Sequence, residues 1–244
     1  MPYPMAACRG KSASGLAALT GPSNPSLLDT SLGSGVGTTI AATMPAQVGV
    51  GNEVSVGFAM TAATGDVTCA DDRGNTYTMV EDENNTGDVR LVVFRCRLTT
   101  QLEAADSITV TFPADPDARA VGAYSVANVK ASSPVDTSAS AQGASDTPSS
   151  GNITTSIGGC MLMGWLASKE TNPVDIGTSG FTPGSGWTEG ANAVSAGSTT
   201  TITLVFEYRA AAAALTDAAD GTWLYDATPD SREYAAAVYA LKGL

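Results

Sequence analysis

Apolar and polar residues alternate along much of the chain with the two-residue period of a half-buried strand. In Ile108-Thr109-Val110-Thr111-Phe112 every second residue is apolar. In the stretch 201–208, Ile202, Leu204, Phe206 and Tyr208 share one face. Such runs are rich in Val, Ile, Thr and aromatics and are broken by Gly, Asn, Asp and Pro, which predicts strands joined by turns. The predicted strands are 38–44, 53–61, 66–70, 76–81, 89–98, 107–113 and 119–129. A Ser-, Ala-, Thr- and Pro-rich connection follows at 131–150. Further strands are predicted at 152–157, 160–168, 186–189, 199–211, 222–227 and 232–242. The five alanines at 210–214 favour helix and predict at most a short one after Tyr208. No helical period separates the strands. The predicted fold class is therefore all-β, an antiparallel β-sandwich of jelly-roll type. Its core is predicted from Phe58, Val93, Phe94, Ile108, Val110, Tyr124, Trp165, Leu204, Phe206, Val238 and Tyr239. Val93 and Phe94 point to opposite faces, so one of the two is expected to meet a partner.

The two halves of this β region resemble each other. Val56-Gly57-Phe58 is echoed by Met163-Gly164-Trp165, residues 91–97 by 203–209, and residues 121–126 by 236–241. These matches set Phe94 on Phe206 and Tyr124 on Tyr239. Order is kept while the offset drifts only from 107 to 115 residues. This predicts a domain at 37–244 made of two similar half-repeats, 37–130 and 131–244, as one pseudo-symmetric sandwich or two small ones.

Residues 1–36 show no period and read as an extended N-terminal arm. Arg9, Lys11 and Asp29 are its charged side chains, against Leu16, Leu19, Leu27, Leu28 and Leu32. Burying a leucine against a surface contributes about 1.5–3 kcal/mol before ordering entropy. These five leucines are the candidate partner contacts, and the arm is expected to pack on a neighbouring subunit or on a lattice of other proteins.

Composition narrows the chemistry. With 12 Lys and Arg against 24 Asp and Glu in 244 residues, the net charge of −12 argues against nucleic acid as a partner. There is no histidine, which excludes Ser-His-Asp and Cys-His catalysis, histidine metal ligands and an imidazole switch. No run approaches the ~18 apolar residues of a membrane helix. Met5-Ala6-Ala7-Cys8 is like a lipoprotein cleavage site but lacks the apolar stretch before it. Cys8, Cys69, Cys96 and Cys160 match no zinc spacing; Cys69 and Cys96 could bridge if their strands pair. Gly10-Lys11-Ser12 lacks the first glycine of a phosphate loop, and no Gly-x-Ser-x-Gly elbow occurs.

The acidic candidates are Glu81-Asp82-Glu83-Asn84-Asn85 with Asp88, expected as a hairpin loop that either is solvated or holds calcium. Asp226, Asp230 and Glu233 are further acids that a two-carboxylate glycosidase would need close together. Trp187, Trp223 and Tyr225 are candidate sugar platforms. No catalytic, cofactor-binding or metal-binding residue is assigned, and no cofactor is expected.

Thr68-Cys69-Ala70-Asp71-Asp72-Arg73-Gly74-Asn75-Thr76-Tyr77 resembles the Thr-x-Asp-x-x-Gly-Asn-x-Tyr turn of a loose group of β-sandwich modules, one residue longer than the usual form. The connection Ser133-Pro134-Val135-Asp136, Ala141-Gln142-Gly143, Thr147-Pro148-Ser149-Ser150-Gly151 and Thr154-Thr155 is similar to theirs. So are Gly180-Phe181, Gly186-Trp187 and the closing residues 235–242. The likeness covers about residues 38–244. Such modules occur in bacterial surface proteins and in structural proteins of tailed bacteriophages. The resemblance implies turns and core, with no catalytic residue to carry over. It implies a non-enzymatic virion component, a capsid decoration (cement) protein or a head- or tail-fibre subunit, self-associated as a homotrimer and bound to virion proteins such as the major capsid protein. Its place would be the virion, assembled in the host cytoplasm, with no membrane partner. The alternative is a carbohydrate-binding or adhesive module.

Overall fold

The structure, a computed structural model, describes residues 21–34, 37–113, 116–170, 180–196, 200–225, 228–229 and 231–244. Within them every regular element is a strand. The first half carries β1 (Ser26–Ser34), β2 (Thr39–Thr43), β3 (Glu53–Thr61), β4 (Thr68–Asp71), β5 (Thr78–Asn85), β6 (Val89–Arg97), β7 (Ser107–Thr111) and β8 (Ala118–Val126). The second carries β9 (Val135–Ser145), β10 (Ile153–Thr154), β11 (Cys160–Glu170), β12 (Phe181–Pro183), β13 (Thr188–Glu189) and β14 (Ala193–Ala196). It continues with β15 (Thr201–Ala211), β16 (Thr216–Asp217), β17 (Gly221–Tyr225), β18 (Thr228–Pro229) and β19 (Arg232–Lys242).

All pairings are antiparallel. One large sheet has the order β1-β8-β3-β6-β5 and the other β13-β15-β11-β19-β9, with β14 also on β15. The strand that opens each half, β1 or β9, lies at an edge beside the strand that closes it, β8 or β19. Next come β3 or β11, then β6 or β15. A small sheet, β2-β7-β4, belongs to the first half; two fragments, β10-β16 and β12-β17-β18, belong to the second.

Three cores explain the sequence pattern. The central one joins the large sheets through Leu91, Val93 and Tyr124 on one side and Met163, Trp165, Phe206 and Tyr239 on the other. The opposite face of the first large sheet packs Phe58 and Phe94 against Ile108 and Val110 of the small sheet. The opposite face of the second packs Leu162, Val205 and Val238 with Phe181, Trp187 and Trp223. A strand covered on both faces must be apolar at consecutive positions, as 56–60 and 161–167 are. Trp165 is the knob that joins the halves. Gly57 and Gly122 are cross-strand partners, and a Cβ on either would crowd the indole. Trp165 Nε1 donates to Ser55 Oγ across the interface at 3.0 Å; Phe206 stacks on Tyr124 at 3.9 Å and meets Trp165 at a tilt, 4.7 Å between ring centres. At the sheet edges Asn85 Nδ2 donates to the carbonyls of Gly143 and Tyr234, and Lys169 pairs with Asp88 at 3.0 Å.

All eleven predicted core residues are buried, but they divide among three cores. Val93 lies in the central core and Phe94 in the first outer core, so both faces of β6 are covered within the chain and neither residue is left for a partner. Phe94 and Phe206 therefore occupy different faces, and so do Phe58 and Trp165: these two matches are out of step by one residue, which in a strand reverses the face, whereas Tyr124 and Tyr239 both lie in the central core. The 131–150 connection contains an eleven-residue strand, β9, on the edge of a sheet. Of the predicted arm, residues 26–34 form β1, paired with β8 from Ser26↔Ser125 to Ser34↔Ala118. The alanine run is no helix: Ala210 and Ala211 pair with Met161 and Cys160 in β15, because ladder pairing outweighs intrinsic propensity.

Candidate functional site

The candidate residues fall in four places. Leu16 and Leu19 lie outside the described residues, with Cys8 and 10–12. Leu27 and Leu32 are 46% and 55% exposed on β1, whereas a bulge between Leu27 and Asp29 turns Leu28 into the first outer core, 7% exposed. β1 is thus an intramolecular edge strand with two apolar side chains outward.

The acidic run 81–88 is mostly strand, not loop. Residues 81–85 pair with β6, and the turn is confined to 86–88. Asp82 is held by Arg90 at 2.6 Å, Glu81 accepts from Ser140 at 3.0 Å, and Asp88 pairs with Lys169. Glu81, Asp82 and Asp88 are directed at three separate partners, and among the described residues no three Asp, Glu or Cys side chains gather as a metal set. Cys69 and Cys96 are both free; β4 pairs with β7 and β6 with β3 and β5, so their strands are not partners.

The turn motif 68–77 acts as a latch. Gly74 takes φ +73°, which suits glycine. Asp71 accepts from the backbone N–H groups of Arg73 and Asn75 and from the side chains of Asn75 and Tyr77. Buried Asn75 then reaches the turn after β6: its Oδ1 accepts from the N–H groups of Thr99 and Thr100 at 2.9 and 2.8 Å, and its Nδ2 donates to the Thr100 carbonyl at 2.9 Å. Arg73 pairs with Asp106 at 2.6 Å and holds that carboxyl below the ordinary aspartate range.

The aromatic candidates do not make a sugar platform. Trp187 is 7% exposed and Trp223 fully buried, both in the second outer core, and the side chain of Tyr225 lies outside the described residues. A stacking platform needs an exposed ring face, so the carbohydrate reading loses both indoles. No family model, curated protein or solved structure matches the chain.

The chemically distinctive site is one that the pattern of residues did not single out. Between β15 and β19 the outer strand is broken: β16 pairs with β10, β17 pairs with β12, and 218–220 lie between. Each orphaned backbone N–H there donates to a side chain. Ala218 N donates to Asp217 Oδ1 at 3.0 Å, Ala219 N to Ser150 Oγ at 2.9 Å, and Asp220 N to Glu207 Oε1 at 2.8 Å. Over this break lies a shallow polar cleft of about 480 Å³, walled by 147–149, 183–185 and 220–222.

Glu207 has no exposed surface, and its Oε2 has no partner. Burial pushes its carboxyl up to about 9; Asp220 and Asp217 add to the rise, against N–H donation from Asp220 and Gly184. It is a neutral acid at pH 7. Asp220 is itself raised, by burial first and by Asp217 second. Arg209 is already engaged with Asp217, at 2.5 Å, and with the Ser185 carbonyl. Only Asp220 among these acids lines the cleft, so the described residues do not offer a substrate two carboxyls there. Asp226 and Asp230 lie outside the described residues, and Glu233 accepts from Asn85. The signal for Glu207 in the sequence is weak: Val205 and Phe206 are consecutive and apolar, as in a doubly covered strand, but Thr201 and Thr203 share the glutamate's face.

Proposed function

We propose that the chain is a structural, non-enzymatic component of a tailed-phage virion, a capsid decoration or fibre-type protein that self-associates, with a homotrimer as the form. What supports this reading most is how the polar side chains are employed. The turn motif that carries the resemblance to phage β-modules holds the frame together through Asp71 and Asn75, and Glu81, Asp82 and Asp88 are engaged one by one with neighbouring strands. β1 adds an edge strand with Leu27 and Leu32 outward. Edge strands and exposed apolar side chains are the places where subunits meet.

We further propose that the architecture is two β-sandwiches back to back, each a half-repeat of one ancestral unit. The parallel orders of the two large sheets and the small sheets on their outer faces support it. β1 then belongs to the first unit as β9 belongs to the second.

The test is to purify tailed particles from the source of this chain, digest them and search for its peptides, with immunogold labelling to locate it. Peptides at stoichiometric level and gold on heads or tails are expected. Particles free of the chain would overturn the proposal. Light scattering should give three times the chain mass of 24.5 kDa; a monomer at all concentrations would remove the trimer.

A further inference from the structure

The strand break at 218–220 has the parts of a catch. Its three N–H groups have no ladder partners, and one of them depends on a carboxyl that has no exposed surface. Glu207 can hold that N–H and stay buried only while it carries a proton, because no Lys or Arg among the described residues pairs with it. The charged groups around it are Asp220 on the break, Asp217 at the end of β16, Arg209 on its own strand, paired with Asp217, and Glu189, opposite it in register on β13 and bonded to Asn192. Across the strand on the other side stands Gly164, which presents no polar group and whose Cβ position is crowded by Glu207 itself. Three of the four charges are acidic, so losing the proton places an anion among anions in an apolar core. The cleft walled by Asp220 and Gly184 adjoins the N–H that Glu207 holds and opens to solvent.

We propose that Glu207 and the 218–220 break form a proton-controlled catch: protonated, Glu207 stays buried and ties the Asp220 N–H to β15; ionised, it swings toward the cleft, frees that N–H and loosens the break, while the pairing of β12 with β17 persists. The step is a single proton loss from the Glu207 carboxyl to solvent. It does not depend on the virion reading, since it concerns the fold alone.

Tryptophan emission reads the catch directly. Trp187 lies against Gly164 beside Glu207, and Trp223 is in the same outer core, whereas Trp165 is in the central core and provides a constant background. The intact chain is titrated from pH 6 to pH 10 beside Glu207→Gln and Asp220→Asn. The wild type should show a reversible red shift centred near pH 9. Glu207→Gln should show none, and Asp220→Asn, which removes a neighbouring negative charge, should move the midpoint to lower pH. A flat wild-type trace, or the same transition in Glu207→Gln, overturns the proposal. If Glu207→Gln does not fold, Asp220→Asn decides: an unmoved midpoint overturns it.

Discussion

Glu53 on β3 and Glu207 on β15 are both without exposed surface, and each has one carboxyl oxygen bonded and the other without a partner. Glu53 faces Arg95, whose Nε lies 2.5 Å from its Oε1; burial raises the carboxyl, and the guanidinium pulls against that rise. Glu207 faces a backbone N–H and two more acids. The contrast follows from the outer layers. In the first half β7 is unbroken and pairs with β2 and β4, so its N–H groups have ladder partners. In the second half the outer strand is cut, and a side chain must supply what the ladder lacks. A buried carboxyl can thus be an ion-pair member or, as a neutral acid, a replacement for a carbonyl.

The largest effect is expected where the halves join. Trp165→Ala should lose about 3–5 kcal/mol in denaturant unfolding, because the hollow over Gly57 and Gly122 cannot collapse onto an alanine. Gly57→Ala should destabilise from the opposite side, by overpacking, by about 1–3 kcal/mol. A loss below 1 kcal/mol in Trp165→Ala would mean that the halves are held together elsewhere.

The same substitution in the two carboxylates should act with opposite sign. Glu53→Gln should cost about 3 kcal/mol, since it leaves Arg95 without its anion in a mostly buried position. Glu207→Gln should stabilise by about 3 kcal/mol at pH 7. The unfolded carboxyl ionises near 4.5, the folded one near 9, and folding at pH 7 must take up a proton across about 2.5 pH units at 1.36 kcal/mol each. The pH profile carries the same sign. A raised carboxyl contributes stability that is complete below its unfolded pKa and is lost as pH rises toward its folded one. Wild-type stability should therefore fall between about pH 4.5 and 9, and Glu207→Gln should flatten that slope. Thermal melts across this range check both statements.

A smaller loss, about 2 kcal/mol, is expected for Asn75→Ala, which strands the N–H groups of Thr99 and Thr100 and the Thr100 carbonyl. Smallest on stability is the double change Leu27→Ser with Leu32→Ser. Both side chains are exposed, so the monomer should change by under about 0.5 kcal/mol while self-association weakens. An unchanged oligomer would take these leucines out of any interface.

Legibility in the sequence followed burial. The doubly covered strands Glu53–Thr61 and Arg232–Lys242 have the bounds that their apolar runs predict. β1 and β9 were hidden because edge strands bury little: β9 is mostly Ser, Ala, Thr and Gly, which read as loop, and the leucines of β1 do not alternate, since a bulge follows Leu27. The acidic stretch 81–85 was hidden for the same reason, since an edge strand tolerates charge. The matched segments fall on strands with the same place in the orders of the two large sheets, but Phe94 with Phe206 and Phe58 with Trp165 are slipped in register, because such a match carries no information about which face is central. The motif at 68–77 was legible as a turn, and its reach to Thr99 and Thr100 was not, as that is a contact between distant segments. Glu207 was passed over because a lone acid in an apolar strand reads as the solvent face of an alternating pattern, and only the outer layer makes that face interior.

The claim that one fold holds one buried carboxyl by pairing and the other by protonation is tested most directly by an isotope-edited NMR titration of the glutamate carboxyl carbons, with Glu207 assigned by its loss in Glu207→Gln. The account predicts a Glu207 resonance that stays in its protonated position through neutral pH and moves near pH 9. A Glu207 carbon that titrates in the ordinary range, about 4–5, would contradict it.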